Sequence, residues 1–204
     1  MKHLISLSLL CFGASAFATN GNHFIGVSPA SAGLGGTGVA NPTNPIDALH
    51  TNVALLHDET DGVKKVNANI SFLMIKNNVS GDAGLGPKDS TAGTKFSPSL
   101  GASYAIDENI AVGLALLSFG GATVDQVGNA ELAQLKTRNS LLRLAPAVSY
   151  KFSDLVTVGI SPYLSYGSLS INNAVPATST QTTRAPHATT GFGAQVGAAF
   201  HPIK

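Results

Sequence analysis

Short segments in which apolar residues alternate with small or polar ones recur along this chain in a regular rhythm. Six such segments are joined alternately by long polar loops and by turns of only two or three residues. They span residues 68–75, 98–106, 110–119, 141–152, 155–171 and 191–200. Alternation with a period of two is typical of β-strands. Short turns at one end of the strands and long loops at the other are typical of a transmembrane β-barrel.

The two faces of each predicted strand differ in the size of their residues. In the third segment the large apolar residues are Ile110, Val112, Leu114 and Leu116, and they oppose Ala111, Gly113 and Ala115. We therefore expect an outer face that contacts lipid and an inner face of small, neutral residues. A soluble β-sandwich would show the same alternation, but it does not predict the rhythm of turn lengths.

Aromatic residues near the ends of the strands predict a girdle at each membrane interface. Tyr104, Tyr150 and Phe152 lie near the short turns, and Tyr163 and Tyr166 lie toward the long loops.

Two prolines interrupt the strand pattern. Pro146 and Pro162 are both in phase with the apolar face, and counting outward from the short turn at residues 153–154 places them nearly opposite one another. Proline lacks the N–H that a strand ladder needs, so it is normally confined to edges, strand starts and bulges. We predict a local break or a tolerated bulge between these two neighbouring strands.

The composition excludes several classes of protein. Charged residues make up 11% of the chain, well below the roughly 25% of a soluble domain. No apolar stretch beyond the N-terminus reaches the ~18 residues of a membrane-spanning helix. The net charge of +1 gives no reason to expect a nucleic-acid partner.

Residues 1–18 form a predicted signal peptide. Lys2 precedes a short apolar core at residues 4–13, and an Ala-Phe-Ala cleavage site ends at Ala18. We expect cleavage after Ala18. Cys11, the single cysteine, lies within this segment, so the mature chain has no disulfide and no thiol chemistry.

Residues 19–63 differ from the rest of the mature chain. They are rich in Gly, Asn, Pro and Ala and show no sustained alternation. Residues 33–38 match the GxGxxG pattern of dinucleotide-binding folds, but no strand precedes them, and Pro42 and Pro45 follow closely. We therefore predict a compact plug whose glycines allow close backbone contacts, rather than a nucleotide site.

This N-terminal segment resembles that of a known family. The hatch of the FadL-type long-chain fatty acid transporters is similar to residues 20–21 (Asn-Gly) and 28–42 (Ser-Pro-Ala-Ser-Ala-Gly-Leu-Gly-Gly-Thr-Gly-Val-Ala-Asn-Pro). The family also includes outer-membrane proteins that admit aromatic hydrocarbons. Residues 101–119 resemble its second and third strands, and residues 144–166 resemble its fourth and fifth.

The resemblance implies a fold and a transport route. The fold is all-β, a transmembrane antiparallel β-barrel of fourteen strands with an N-terminal hatch, here residues 19–63; residues 64–204 supply about six of the strands. In the family, hydrophobic substrates are caught at the extracellular loops, pass to a pocket in the lumen and leave sideways into the membrane. The exit is an opening made by an inward kink in the third strand.

Three groups of residues receive roles from this resemblance. The kink falls at Ser118, Phe119, Gly120 and Gly121, where an ordinary strand-to-loop transition is the alternative. Near the end of the hatch, the place of an Asn-Pro-Ala motif is taken by Asn52, Val53 and Ala54. The loop that helps form the outer substrate groove contains Leu132 and Leu135, whose alternative role is in a surface helix that covers its own loop.

We therefore expect passive transport of long-chain fatty acids or other hydrophobic compounds across the bacterial outer membrane, without a cofactor. The resemblance implies outer-membrane lipid and the barrel assembly machinery as partners, and a monomer when the barrel is complete. An enzyme would need a nucleophile and a base that converge, whereas the histidines of the mature chain are scattered.

Two other kinds of barrel remain as alternatives. A general porin would need opposed acidic and basic clusters in its lumen, and the inner faces offer mainly Arg143 and Lys151. A structural or adhesive barrel is supported only by the long loops.

The number of predicted strands is small for a closed barrel of this family. Open strand edges in lipid cost several kcal/mol for each unpaired backbone group. We therefore expect these 204 residues to be the N-terminal part of a longer barrel.

Overall fold

The computed structural model describes residues 22–57, 66–76, 80–81, 88–126, 135–174, 181–183 and 186–201. The predicted signal peptide and Leu132 lie outside these ranges. The strands are β1 (Val66–Lys76), β2 (Ser80–Gly81), β3 (Lys88–Asp89), β4 (Thr94–Ala105), β5 (Ile110–Asp125), β6 (Lys136–Ser153), β7 (Val156–Ala174), β8 (Gln181–Thr183) and β9 (His187–Phe200). The helical segments are α1 (Pro29–Gly33), α2 (Pro45–Thr51) and a 3₁₀-helix (Val53–Leu56).

Six long antiparallel strands form one sheet in the order β1-β4-β5-β6-β7-β9. The short β8 pairs with the end of β7, and β2 pairs with β3 in a separate ribbon. These six strands are the six predicted segments, so the prediction of an all-β antiparallel fold is confirmed. β5 and β6 run past their predicted ends, because the ladder continues beyond the alternating pattern as far as Asp125↔Lys136. A ladder needs only backbone groups, so it can extend beyond the apolar pattern.

The two faces of the sheet have the predicted orientations. Leu114 and Leu116 are 54% and 42% exposed, whereas Ala115 between them is 1% exposed. Exposed large side chains on the other strands include Ile70, Phe72, Leu100, Leu144, Val148, Ile160, Leu164, Phe192 and Val196. A broad apolar outer surface of this kind suits contact with hydrocarbon rather than water.

The predicted aromatic girdle is correct for some residues and wrong for one. Tyr150 and Phe152 face outward near the short turn and stack nearly edge to face, with ring centroids 4.7 Å apart. Tyr166 also faces outward, toward the long-loop end. Tyr163 instead shares the inner face with the buried Ser161, because it lies an odd number of residues from Tyr166 along the strand.

The N-terminal segment, which we define as residues 22–57, forms three short helical turns. Each is capped by a side chain, and the caps are Ser28, Asn44 and Asn52. Their side-chain oxygens accept hydrogen bonds of 3.1 Å from the backbone N–H groups of residues 31, 47 and 54. Proline begins α1 and α2, where its missing N–H would have no intrahelical partner. None of the described helices is long and apolar enough to cross a membrane.

The core lies between this segment and the inner face of the sheet. It contains Val27, Ile46, Leu49, Val53 and Leu56 from the segment, and Ala115, Leu117, Phe119 and Ala147 from the strands. Glycines on the inner face allow the close approach. A Cβ added to Gly101 would lie 2.8 Å from Cγ1 of Ile46, and one added to Gly159 would lie 2.6 Å from the carbonyl carbon of Val53.

Some glycines of the N-terminal segment make the predicted close backbone contacts and others do not. A Cβ added to Gly26 would lie 2.5 Å from the backbone N of Ala32. A Cβ added to Gly33 or Gly35 would have no neighbour within 4 Å. Gly35 and Gly36 form the turn after α1 with φ values of 68° and 77°, which glycine adopts without strain. Of these three, only Gly36 lies against other backbone, at the carbonyl of Ile25.

We expect Gly159→Ala to lower the free energy of unfolding by about 1–3 kcal/mol, because the new methyl group would overlap the backbone of the 3₁₀-helix. The matched control is Gly191→Ala, another strand glycine, whose added Cβ has open space around it. Chemical unfolding of both variants in detergent micelles measures the difference. Equal stability of the two variants would contradict the proposed close packing.

Candidate functional site at the separation of two strands

The ladder between β4 and β5 stops partway along the strands. The two strands pair from Ala105↔Ala111 to Leu100↔Leu116 and no further. Beyond this point β4 continues to pair with β1, and β5 continues to pair with β6. The sheet therefore separates between β4 and β5 over its half nearer the long loops.

A bulge in β5 coincides with this separation. The register of β5 on β6 shifts between Ser118 and Gly120, so Phe119 has no partner in the ladder. Residues 117–120 are all buried, which breaks the alternation of faces. Gly121 has φ of 152°, a backbone conformation that other residues rarely adopt. The four residues predicted to form the kink are thus the ones at which β5 departs from regular strand geometry.

The N-terminal segment bonds to the side of β5 that β4 has left. Phe24 N donates to the carbonyl of Phe119 at 3.0 Å, and Gly121 N donates to the carbonyl of Asn22 at 2.9 Å. His23 and Gly120 form an antiparallel bridge. These bonds satisfy backbone groups that the separation of the strands would otherwise leave unpaired.

Serine hydroxyls and a loop close the two ends of the separation. At the end nearer the short turn, Ser97 Oγ donates to Ser118 Oγ at 2.5 Å, and Ser118 N donates to Ser99 Oγ at 3.0 Å. At the end nearer the long loops, Thr91 N donates to the carbonyl of Asp125 at 2.8 Å. The two strands are therefore bridged at both ends and parted between them.

A cavity of about 330 Å³ occupies the space between these ends. Its apolar lining comes from Phe24, Ile75 and Phe96. Its polar lining includes Ser97, Ser118, Lys95, Arg138 and Asn139. Gly120, Gly121 and Ala122 line it on the side of β5. The bulge thus forms one wall of a cavity that lies between two strands of the sheet and is lined by both apolar and polar residues.

A cation and three aromatic rings lie on the inner face beside the bulge. The Cζ atom of Arg143 is 4.6 Å from the ring centroid of Phe119 and 4.1 Å from that of Tyr163. The ring of His23 lies 5.4 Å from that of Phe119. Tyr163 lies against Gly193, its partner on β9, where the absence of a side chain leaves room for the ring. The sequence placed Arg143 on the inner face, and parity puts Phe119 on that face with Ala115 and Leu117, but the contact between them depends on the register of β5 and β6.

Asn52, Val53 and Ala54, the other predicted gating residues, lie at a different place. Asn52 Nδ2 donates to the carbonyls of Val39 at 3.0 Å and Ala198 at 3.2 Å. Its side chain lies against Gly197 of β9, and Val53 lies against β7. These residues fix the end of the N-terminal segment to β7 and β9, and β6 and β7 separate β9 from the bulge in β5.

The predicted groove residues are only partly placed. Leu132 lies outside the described residues. Leu135 immediately precedes β6, and its carbonyl accepts a hydrogen bond of 2.7 Å from Gln126 N. Leu135 thus lies at the base of the loop, and the outer groove stays a prediction.

The two prolines interrupt one ladder without shifting its register. The pairs Leu144↔Leu164 and Val148↔Ile160 set the same register on either side, and they place Pro146 opposite Pro162. Pairing lapses between them, and Ser161 Oγ bridges the strands by donating to the carbonyl of Pro146 at 2.7 Å. Of the two predicted forms, a break and a bulge, these strands form the short break. Pairing lapses because neither proline has an N–H to donate.

Burial of His50 on α2 has an electrostatic consequence. Burial and, to a smaller extent, the positive charge of Arg143 lower the pKa of His50 to about 4, and the carboxylate of Asp47 opposes the change. His23 also contributes a lowering. The imidazole is therefore neutral at pH 7, and its buried Nδ1 atom has no hydrogen-bond partner among the described residues. Within that part of the chain, no three side chains are grouped so as to hold a metal ion.

We expect stability to fall as the pH falls from 6.5 to about 4. In this window the unfolded chain protonates His50 and the folded chain does not, so the free energy of unfolding decreases by up to about 3 kcal/mol. Unfolding measured at several pH values should show that His50→Gln removes this part of the dependence. The variant of the exposed His187 on β9, His187→Gln, should keep it. An unchanged slope for His50→Gln would contradict the buried neutral imidazole.

Comparison with known proteins shows similarity in structure and not in sequence. No protein-family model matches the chain, and no curated protein sequence matches it. The crystal structure of a Pseudomonas aeruginosa FadL homologue is similar with a TM-score of 0.58 and 17% identity, over 93% of this chain and 50% of that one. The P. putida toluene transporter TodX is similar with a TM-score of 0.59 and 18% identity, over 88% of this chain and 53% of that one.

The chain spans about half the length of each of these two proteins. At this level of identity the similarity is one of fold. The antiparallel sheet of this chain, with its apolar outer face, corresponds to about half of each of the two structures. This chain therefore has the fold of FadL-type outer-membrane barrels over about half of their length.

Proposed function

We propose that this protein forms part of a passive channel for hydrophobic compounds across the bacterial outer membrane, with long-chain fatty acids as the favoured class. The observation that carries the proposal is the separation of β4 and β5 at the bulge, with a cavity between them. The names of the similar proteins, a FadL homologue and a toluene transporter, support hydrophobic transport in general.

The proposed route follows from where apolar surface is available. The N-terminal segment packs on the inner face and acts as the hatch, so a substrate does not pass straight through the lumen. It enters the cavity beside residues 118–121 and leaves between β4 and β5 into the surrounding lipid. Each CH₂ group transferred from water to an apolar environment contributes about 0.8 kcal/mol, so the lipid itself draws the substrate out. No bond is made or broken, and no cofactor is needed.

The two groups of predicted gating residues have different proposed roles. Residues 118–121 shape the exit, since the bulge and Gly121 hold β5 away from β4. Asn52, Val53 and Ala54 anchor the hatch to β7 and β9 through the contacts of Asn52 with Ala198 and Gly197. A displacement of the hatch would therefore pivot on Asn52 and act on β5 through Phe24 and Asn22.

A general porin is the second candidate, and the filled inner face argues against it. Ile46, Leu49 and Leu56 occupy the space next to the strands and are fully buried there. A polar solute would need a wet path lined by opposed charges, whereas Arg143 lies between two aromatic rings. Transport of hydrophobic molecules requires no such path.

Reconstitution separates these two functions. The protein should be purified from outer membranes of cells that express it from its own locus, and then placed in liposomes. Uptake of a fluorescent long-chain fatty acid without ion conductance is the expected result. Ready ion conductance would favour the porin, and absence of both activities would favour a structural role.

A side chain that fills the cavity should block the route. We expect Ala122→Trp to reduce fatty acid uptake by roughly tenfold, because the indole ring fills much of a cavity of about 330 Å³. The control is Leu114→Trp on the same strand, where the residue faces outward and lipid accommodates the ring. Initial uptake rates in the expressing cells, normalised to protein in the membrane, measure the effect. Wild-type uptake by Ala122→Trp would contradict an exit through this cavity.

A further inference from the structure

Two cations line the cavity between β4 and β5. They are Lys95 on β4 and Arg138 on β6, and both residues are exposed. None of the described residues around this cavity is an aspartate or a glutamate. Among the residues that the structure describes, the ion pairs are formed by Lys136 and Lys151, so no carboxylate there neutralises Lys95 or Arg138. The cavity therefore has an uncompensated positive charge and attracts an anion.

The position of Arg138 relative to the membrane indicates the source of this anion. Arg138 shares the outer face of β6 with Leu142 and Leu144, because residues an even number apart lie on one face of a strand. Leu142 pairs with Tyr166, the outward aromatic residue toward the long loops. Arg138 lies four residues beyond Leu142 in the same direction, about 13 Å along the strand. Aromatic girdles mark the level of the lipid head groups, so Arg138 lies at the level of the phosphates of the outer leaflet.

Apolar surface for acyl chains begins directly beside these cations. Phe96 follows Lys95 on β4 and is exposed on the outer face, and so is Met74, its partner on β1. Phe72 continues the same face of β1 toward the short turns. A lipid with its head group at the two cations therefore lays its chains against a surface that is already apolar.

The spacing of the two cations favours a phosphate over a carboxylate. Lys95 and Arg138 belong to strands on opposite sides of β5, and two strand spacings separate their backbones by about 10 Å or more. The two oxygens of a carboxylate fit the fork of a single guanidinium. A phosphomonoester carries about −1.5 to −2 charge at pH 7 and three acceptor oxygens. It accepts hydrogen bonds from both side chains at once, and from the hydroxyls of Thr94 and Ser140, which also line the cavity.

We propose that Lys95 and Arg138 form a binding site for the phosphate head group of a lipid of the outer leaflet, whose acyl chains lie on the outer face beside Phe96. The described ladder between β4 and β5 stops at Leu100↔Leu116, short of this level. The bound phosphate joins β4 to β6 across this unpaired stretch. The inference goes beyond the proposed function, because the lipid is a component of the surrounding membrane and is not transported.

The test compares three ligands that separate the head group from the chains. Dioctanoyl phosphatidic acid carries both, dioctanoylglycerol carries only the chains, and inorganic phosphate carries only the anion. Each is titrated into the protein purified from outer membranes, in a nonionic detergent at pH 7.5, and affinity is measured by calorimetry. We expect phosphatidic acid to bind roughly tenfold to a hundredfold more tightly than dioctanoylglycerol, the range of charge-assisted hydrogen bonds. It should bind roughly a hundredfold or more tighter than inorganic phosphate, because only the lipid buries apolar chains.

Variants of the two cations locate the site. Lys95→Gln and Arg138→Gln should each weaken the binding of phosphatidic acid by roughly tenfold and leave that of dioctanoylglycerol unchanged. Both residues are exposed, so neither change removes packing from the core. Lys151→Gln is the matched control, because it removes the same charge at the short-turn end of β6, where Lys151 pairs with Asp154 at 2.8 Å. Its affinity for phosphatidic acid should equal that of the wild-type protein.

Four results would overturn the inference. Equal affinity for phosphatidic acid and dioctanoylglycerol would mean that the head group is not recognised. Equal affinity for phosphatidic acid and inorganic phosphate would indicate a general anion site. Wild-type affinity in Lys95→Gln or in Arg138→Gln would place the lipid elsewhere. Displacement of phosphatidic acid by dodecanoate at equal concentration would indicate a site for any anionic amphiphile. None of these measurements depends on uptake, so this inference and the proposed function fail separately.

Discussion

The close contact between glycines of the sheet and the N-terminal segment is the constraint on which the structure depends. At Gly101, Gly113 and Gly159 even one methyl group would overlap Ile46, Leu56 or Val53. The residues on the inner face are therefore small because a folded segment packs against them, and not because they line a water-filled lumen. The segment has short capped helices that could not be stable alone, and the sheet has an inner face that needs a cover. Each part supplies the packing that the other lacks.

The separation of β4 and β5 is possible because the same segment replaces a lost neighbour. A strand that leaves its partner within a membrane exposes backbone groups that have no water to bond to. Residues 22–24 form hydrogen bonds with the carbonyl of Phe119 and the N–H of Gly121. Serine hydroxyls bridge β4 and β5 at the end of the separation nearer the short turn. Phe119 faces inward at the bulge, where it meets both His23 and Arg143. Opening, hatch and cation are thus parts of one arrangement, and a change in any of them acts on the other two.

Much of the fold was predictable from local pattern. Period-two alternation fixed which residues of 110–116 face lipid, since the orientation of a strand side chain depends only on its parity. The alternation of short and long connections predicted that consecutive strands are antiparallel neighbours, with the short turns at one end of the sheet and the long loops at the other. The prediction for Tyr163 failed because nearness to a strand end was used in place of parity. The prediction of close backbone contacts is confirmed for Gly36 but not for Gly33 or Gly35, because a motif says where glycine is permitted and not what it touches.

The sequence by itself determined the strands, their two faces, the antiparallel order and the presence of an irregular N-terminal segment, because these follow from residue size, turn length and parity along the chain. Only the tertiary structure decided where β4 and β5 part, because nothing in either strand records how far its neighbour follows it. It alone decided that the break at Pro146 and Pro162 keeps its register, since register is set by the pairs on both sides. It also brought Phe119, Arg143 and Tyr163 together from three different strands, because contacts between residues distant in sequence depend on register and on a bulge that the pattern of residues does not encode.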